Sequence, residues 1–313
     1  MKYFLIINPR SRNERSRKRF RKILEELRKT WKDFDHVFIS SYESIRAESE
    51  YANRKGYDAI IAVGGDGTIN ATINGFYDRN GKRISSARFG VIYTGTSPDF
   101  CKSYGIPLDE EKAINTLINP RIRRIRTGRI LFRNAADPEI TETRVFACCA
   151  NIGMGAGIAR VSNKIRKYTG DFAGTLIAVL WNIAANGPRK LFVSIDGVPS
   201  EIDGVINISA GRTKFIASGI KVSGGILDDD DRFYLLIAKN ISVKVLPRLL
   251  YQVYTGKLTS PEILELKYAR NIEIKSPDKM VGVEFDGDPA GFLPCTISLA
   301  TDPLDLMIHQ YSG

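Results

Sequence analysis

This 313-residue chain has little histidine, little cysteine and no long apolar run. Its two histidines, His36 and His309, stand in contexts that suggest no nucleophile beside them. A His-based triad is therefore not expected, and acid–base work falls to Asp or Glu. The four cysteines, Cys101, Cys148, Cys149 and Cys295, lack metal-ligand spacing, and an adjacent pair rarely forms a structural disulfide. No stretch approaches the roughly 20 apolar residues that a membrane-spanning helix needs. The opening Met1-Lys2-Tyr3-Phe4-Leu5-Ile6-Ile7 lacks the length and cleavage site of a signal peptide and reads as a first strand. No G-x-x-x-x-G-K-S/T motif is present, which excludes a P-loop NTPase, and there is neither an internal repeat nor a low-complexity linker. Apolar residues at 43% can bury one large core or two ordinary ones, which rules out disorder. The expectation is a soluble cytosolic protein.

Positive charge is abundant. Lys and Arg number 46 against 35 Asp and Glu, a formal net charge of +11. Such an excess favours nucleic acid, an acidic membrane surface or a phosphate-bearing substrate. Between Arg10 and Lys29, ten basic residues face only Glu14, Glu25 and Glu26, and a second cluster gathers Arg121, Arg123, Arg124, Arg126, Arg129 and Arg133. Either can be a solvated face. No nucleic-acid recognition module accompanies them, so no nucleic-acid partner is expected.

The first third alternates strand and helix. Tyr3–Ile7 is a buried strand; Phe20, Ile23, Leu24 and Leu27 mark one helix face. Strands follow at Val37–Ser40, Ala59–Val63 and Phe89–Tyr93, and helices at Glu43–Lys55, Thr68–Phe76 and Glu111–Ile118, closed by Pro120. This order implies a parallel sheet covered on both faces. After about residue 125 short β-rich runs take over: Val145–Ala150, Leu191–Ile195, Val205–Ala210, Phe233–Ala238, Ile272–Ile274 and Cys295–Leu299. Helical stretches remain at Gly157–Lys167, Ala173–Ala185 and Val243–Tyr251. The fold expected is a Rossmann-like parallel α/β domain over 1–125 and a larger, mainly antiparallel β-sandwich over 126–302. Residues 303–313 are expected to return to the first domain.

The strongest chemical signal is Val63-Gly64-Gly65-Asp66-Gly67-Thr68-Ile69-Asn70, after an apolar strand and before a helix. Glycines there let backbone approach a ligand, and a helix start directs N–H groups and positive partial charge at an anion. Asp66 would repel bare phosphate, so it suits a metal-bound or water-bound group. Asn8-Pro9-Arg10-Ser11-Arg12 and Gly95-Thr96-Ser97-Pro98-Asp99-Phe100 follow two other strands. In an open parallel sheet such loops gather at one edge, where ligands bind. Near the end, Val283-Glu284-Phe285-Asp286-Gly287-Asp288-Pro289 reads as a hairpin turn or as a carboxylate placed to accept a hydroxyl proton.

In their order and spacing, Asn-Pro-x-Ser, Gly-Gly-Asp-Gly-Thr, Gly-Thr-x-x-Asp-Phe and Asp-Gly-acid resemble the diacylglycerol kinase catalytic family, which includes sphingosine and ceramide kinases and soluble bacterial lipid kinases. Ser41-Tyr42-Glu43-Ser44-Ile45-Arg46-Ala47 resembles its Thr-x-x-x-x-x-Ala segment, and Asn151-Ile152-Gly153-Met154-Gly155 its Asn-x-Gly-x-Gly stretch. The resemblance spans nearly the whole chain. It implies an ATP- and Mg2+-dependent lipid kinase, with nucleotide on the first domain and lipid entering an interdomain cleft. Asn8, Pro9, Arg10, Ser11, Arg12, Ser41, Gly64, Gly65, Gly67, Thr68, Ile69, Asn70, Ala71 and Thr96 fall at nucleotide-contacting positions. Asp66 and Asp99 match an Asp–water–magnesium network, and Asp286 the general base, with Asp288 where the family usually has Glu. Lys164 or Arg166 matches a basic residue facing the phosphates. In Gly225–Arg232, Asp230 and the carbonyls of Leu227 and Arg232 match ligands of a second, structural magnesium.

Arg12 replaces a family Gly, Ser97-Pro98 replaces Gly-Asn, Arg126 stands where many members carry Asp, and Asp231 replaces a Gly. These departures keep two alternatives in view, a kinase of a soluble hydroxyl compound akin to NAD kinases and a catalytically silent nucleotide or membrane sensor. The partners expected are a lipid substrate, an anionic membrane surface touched transiently from the cytoplasm, and a second copy in a homodimer. The Arg10–Lys29 helix and an Arg121–Arg133 strand are the candidate membrane-facing patches.

Overall fold

The computed structural model describes residues 1–9, 14–95, 98–153, 187–216, 220–222, 226, 230–241, 245, 248, 261–277, 280–286 and 288–309. The chain forms two compact units, Met1–Thr127 with Ala300–Gly313, and Gly128–Leu299. The helical stretches expected at Gly157–Lys167 and Ala173–Ala185, and most of Val243–Tyr251, lie outside the described residues.

In the first unit β1 (Tyr3–Ile7) is buried throughout, as a strand with parallel neighbours on both edges must be. The helix α1 (Glu14–Arg28) turns Phe20, Ile23, Leu24 and Leu27 inward and leaves Lys18, Arg19, Arg21 and Lys22 exposed. The edge strand β2 is Phe34–Phe38, upstream of the expected Val37–Ser40, because it pairs in register with Tyr3–Ile7. An edge tolerates Asp35 and His36 where a central strand would not. The helix α2 (Tyr42–Arg54) is capped by Ser41, whose Oγ accepts the Ser44 N–H at 3.2 Å. Then come β3 (Ala59–Gly64), α3 (Asp66–Asn74), β4 (Arg88–Tyr93), α4 (Asp99–Tyr104), α5 (Glu110–Ile118), capped by Asp109, and β5 (Arg121–Ile125).

The second unit holds β6 (Gly128–Asn134), β7 (Thr141–Phe146), β8 (Cys149–Gly153), β9 (Arg189–Ile195), β10 (Val198–Gly211), the short pair β11 (Phe215–Ile216) and β12 (Ile220–Lys221), β13 (Phe233–Lys239), β14 (Leu264–Ala269), β15 (Ile272–Lys275), β16 (Gly282–Phe285) and β17 (Asp288–Leu299). Its main sheet runs β14-β13-β10-β8-β16-β17-β15-β9, and the long β10 also pairs with β9, bending the sheet back on itself. Every described pairing in it is antiparallel. One face packs into a core that includes Phe132, Phe146, Ile152, Ile208, Phe233 and Phe285. The strand expected across Arg121–Arg133 is in fact two, β5 in the first unit and β6 in the second, divided at Thr127.

The chain then returns to the first unit as β18 (Leu304–Ile308), parallel to β4 and antiparallel to β5, giving the order β2-β1-β3-β4-β18-β5. Arg83 anchors this return. Its backbone N–H donates to Asp302 Oδ2 at 2.9 Å, and its guanidinium meets Asp305 at 3.2 Å.

Candidate active site

Within the first unit the loops after β1, β3 and β4 interlock. The Asn8 N–H donates to Val63 O and the Thr94 N–H to Gly64 O, each at 2.9 Å, holding the three strand ends level. Asn8 Nδ2 then donates to Thr68 Oγ1 at 2.8 Å, which ties the first loop to the first turn of α3. At Gly64 a Cβ would run into the Thr68 side chain. At Gly95 a Cβ would lie 2.7 Å from Gly65 Cα and 2.6 Å from Tyr93 Oη, so only glycine lets these loops approach. Gly65 is the N-cap of α3, in extended conformation and with no side-chain cap. The start of α3 therefore presents backbone and positive partial charge, as an anion site requires.

Asp66 opens α3, and its Oδ2 accepts the Tyr93 hydroxyl at 2.8 Å. Its Oδ1, like Asp99 Oδ1 at the start of α4, is shielded from solvent. Burial, and behind it the Asp66 charge, push the Cys101 thiol well above its ordinary range. Two carboxylates on neighbouring loops, supplying hard oxygen donors, fit a magnesium ion shared with phosphate oxygens. Among the described residues no group of three or more His, Cys, Asp or Glu side chains could hold a metal ion by itself.

Several residues matched to nucleotide contacts also have partners within the chain. Ile69, Asn70 and Ala71 are buried on α3, where Asn70 Oδ1 accepts the Tyr42 hydroxyl at 2.7 Å. Ser41 caps α2, and Pro9 continues the loop after β1. Arg10, Ser11, Arg12, Thr96, Ser97, Lys164, Arg166 and Leu227 lie outside the described residues. Tyr93 carried no signal beyond its place at a strand end.

In the second unit Asp286 turns with φ 49° between the paired residues Phe285 and Asp288. Asp and Asn are the side-chain-bearing residues that best tolerate this conformation. Its carboxylate accepts the N–H groups of Ala147 at 2.8 Å, Cys148 at 2.8 Å and Cys149 at 3.1 Å. Here the run Val145–Ala150, expected as one strand, breaks into β7 and β8, because amides that would feed a ladder are aimed at Asp286 instead. Beside it Glu284, which sequence reasoning passed over, is buried and accepts Asn151 Nδ2 at 2.9 Å, while Asn151 Oδ1 accepts the Ser209 hydroxyl at 2.5 Å.

The remaining candidates, Asp230 and Arg232, are bound to each other. Arg232 Nη2 donates to Asp230 Oδ2 at 2.8 Å and its Nε to Oδ1 at 3.0 Å. The Arg232 side chain holds the Asp230 carboxyl below its ordinary range. The carbonyls of Asp230 and Arg232 accept the Arg212 guanidinium. With the Asp230 carboxylate and the Arg232 carbonyl both engaged by cationic side chains, these two donors do not fit a magnesium ion as they stand.

A family model described as the diacylglycerol kinase catalytic domain matches residues 2–130, and one described as the YegS C-terminal NAD kinase beta sandwich-like domain matches residues 149–308. Diacylglycerol kinases of Bacillus subtilis and Staphylococcus saprophyticus are each 24% identical to this chain over 296 residues, covering 93% of it and 90% of theirs. The crystal structure of a diacylglycerol kinase from Bacillus anthracis matches with a TM-score of 0.71 at 16% identity, over 98% of this chain and 97% of that one. Yeast NADH kinase complexed with NADH gives a TM-score of 0.58 at 9% identity, over 100% and 84% of the two chains. At these identities the two structures speak to the fold alone.

Proposed function

This chain belongs to the diacylglycerol kinase catalytic family, and we propose that it is a Mg2+-dependent kinase that transfers the γ-phosphoryl group of ATP to a hydroxyl of diacylglycerol or a similar lipid. The observation that carries this reading is the bare backbone of Gly64, Gly65 and Gly95 at the start of α3, with Asp66 fixed beside it by Tyr93. The triphosphate would lie against the helix start, where oriented amides stabilise charge without reorganising during transfer. Asp66 and Asp99 would hold the magnesium ion, which when bound supplies neutralising charge. Asn8, tied to Thr68, keeps the loop after β1 in place beside the phosphates.

Asp286 would accept the proton of the attacking hydroxyl. Three backbone N–H groups fix its carboxylate in one orientation. Phosphoryl transfer asks chiefly for an aligned nucleophile, so a rigid acceptor of modest basicity suffices. The exposed basic face of α1 supports docking on an anionic membrane surface, each Lys or Arg contributing about 1 kcal/mol close to it.

The test incubates the full chain with γ-labelled ATP, Mg2+ and vesicles of diacylglycerol with anionic phospholipid, beside parallel reactions on total cellular lipid and on NAD. Label is expected in phosphatidic acid or another lipid phosphate. Label on NAD alone would make the protein a soluble-hydroxyl kinase. ATP binding with no labelled acceptor would make it a sensor.

A further inference from the structure

The family resemblance implies a structural cation in the 225–232 loop, yet two of the groups that would bind it, the Asp230 carboxylate and the Arg232 carbonyl, already have cationic partners. Arg212 follows the last residue of β10, and the register Gly211↔Tyr234 brings it alongside the start of β13. It is only 7% exposed, and its guanidinium carbon lies 6.0 Å from the Phe233 ring centroid. One of its terminal nitrogens donates to the Arg232 carbonyl and the other to the Asp230 carbonyl at 2.6 Å. Arg232 closes the other side. Its backbone N–H and guanidinium make three bonds to the Asp230 carboxylate, at 2.9, 3.0 and 2.8 Å, and its guanidinium carbon lies 5.4 Å from the Tyr268 ring centroid. Asp231 is paired in turn with Arg270 at 2.8 Å.

We propose that Arg212, together with Arg232, takes the place of the divalent cation in this loop, so that the second unit is held here by guanidinium groups and binds no metal at Asp230. Among the described residues, the positive charges of Arg212, Arg232 and Arg270 already exceed the negative charges of Asp230 and Asp231. A divalent ion on the same carbonyl and carboxylate would sit against two guanidinium groups. The chemistry substitutes well. A guanidinium offers five donors in a planar fork that suits paired oxygens, and it stays charged at every working pH. Mg2+ instead demands near-octahedral oxygens at about 2.0–2.1 Å, which a carbonyl already accepting an arginine N–H is poorly placed to join. Any metal requirement of the protein would then belong to the phosphates held by the first unit. This inference is independent of the lipid substrate.

Mn2+ is the probe. Bound Mn2+ is counted by electron paramagnetic resonance on the full chain without nucleotide, for wild type and Asp230→Asn. The two counts are expected to agree, and one ion fewer per chain in the variant would overturn the proposal. Melting curves give the second readout. Arg212→Met is expected to lower the transition of the second unit by roughly 5–10 °C, in Mg2+ and in EDTA alike, with a smaller loss for Arg212→Lys. A wild type that EDTA alone destabilises this much, or an Arg212→Met variant that melts with wild type, would overturn it too. If Arg212→Met does not fold, Arg212→Lys and the Mn2+ counts decide.

Discussion

In both units backbone groups converge where an anion suits them, and under the proposed function they differ in where that anion would come from. In the second unit the chain supplies it, since the Asp286 carboxylate takes the amides of Ala147, Cys148 and Cys149. In the first unit the N-cap of α3 is Gly65, which has no side chain to offer, whereas α2 and α5 are capped by Ser41 and Asp109. A side-chain cap is worth roughly 1 kcal/mol, and at α3 the sequence forgoes it. Under the proposed function the contrast separates amides already satisfied by the chain from a helix start left open to a ligand. Substitutions at Asp286 should cost stability together with the proposed proton transfer, and those at the start of α3 activity without stability of the second unit.

The largest effect that could break this comparison is expected at Gly95. Gly95→Val would press side-chain atoms onto Gly65 and Tyr93, displacing the cradle. Turnover should fall by roughly 10²-fold or more, with ATP binding lost in a filter assay and hydrogen exchange in the second unit unchanged. Protection lost equally in both units would mean that the glycine serves folding rather than ligand. Asp286→Ala should lose turnover too, but with the second unit weakened and the first intact. Three amides lose a charged acceptor, and the second unit should lose about 2–4 kcal/mol in urea unfolding, while ATP binding to the first unit persists. Asp286→Asn, which keeps one oxygen, should fall between. An Asp286→Ala protein as stable as wild type would sink the structural half of the comparison.

How far the sequence disclosed these sites follows the same division. Gly64-Gly65-Asp66-Gly67-Thr68 was legible because its signal is local: an apolar run, a turn and a helix start within one stretch of chain. The hairpin at Asp286 was legible for the same reason. What Asp286 binds was not, because its three amides lie about 140 positions away in a run whose apolar texture reads as continuous strand. Ile69, Asn70 and Ala71 match nucleotide-contacting positions by their place in a motif, and their burial within Thr68–Asn74 of α3 leaves no mark in that motif. Arg212 is a lone arginine after a strand, and only the pairing of β10 with β13 brings it to the loop at Asp230. Tyr93 likewise acquires its role through α3. Contacts made by topology leave no mark in local pattern.

Titration separates the units by a smaller amount. Burial pushes the Tyr77 phenol of the first unit up to about 12 and the Cys295 thiol of the second up to about 12. A group whose folded pKa is raised contributes stability that is complete below its unfolded pKa and is lost as pH climbs through the folded value. Both units should therefore weaken between about pH 9 and 12, Tyr77 accounting for about 2–3 kcal/mol. Acid should act unequally. Two carboxyls held below their ordinary range, Asp230 by Arg232 and Glu265 by Lys239, both lie in the second unit. Their contribution is present above the unfolded carboxyl pKa and disappears as pH falls through the depressed values. Hydrogen exchange followed from neutral pH into acid should show the second unit opening first. A first unit that opens earlier would refute the assignment.

The smallest effect concerns the surface. On α1, Arg21 and Lys22 are exposed while Phe20, Ile23 and Leu24 face the core, so neutralising the pair leaves the fold intact. If this face meets anionic lipid, Arg21→Gln with Lys22→Gln removes about 1 kcal/mol per residue, and the KM for substrate in anionic vesicles should rise roughly 5-fold for each. The maximal rate should not change, because neither side chain belongs to the phosphate cradle. Added salt should shrink the difference, as screening shortens from about 10 Å at 0.1 M to about 3 Å at 1 M. The second unit supplies the control. Lys190 is comparably exposed, but Glu201 and Asp203 pair with it, so Lys190→Gln should leave the KM as it was. An equal rise for Lys190→Gln would mean that attraction to the membrane is spread over the +11 charge of the whole chain, and α1 would lose its special place. A rise confined to α1 would assign to one unit both the grip on phosphate and the approach to lipid.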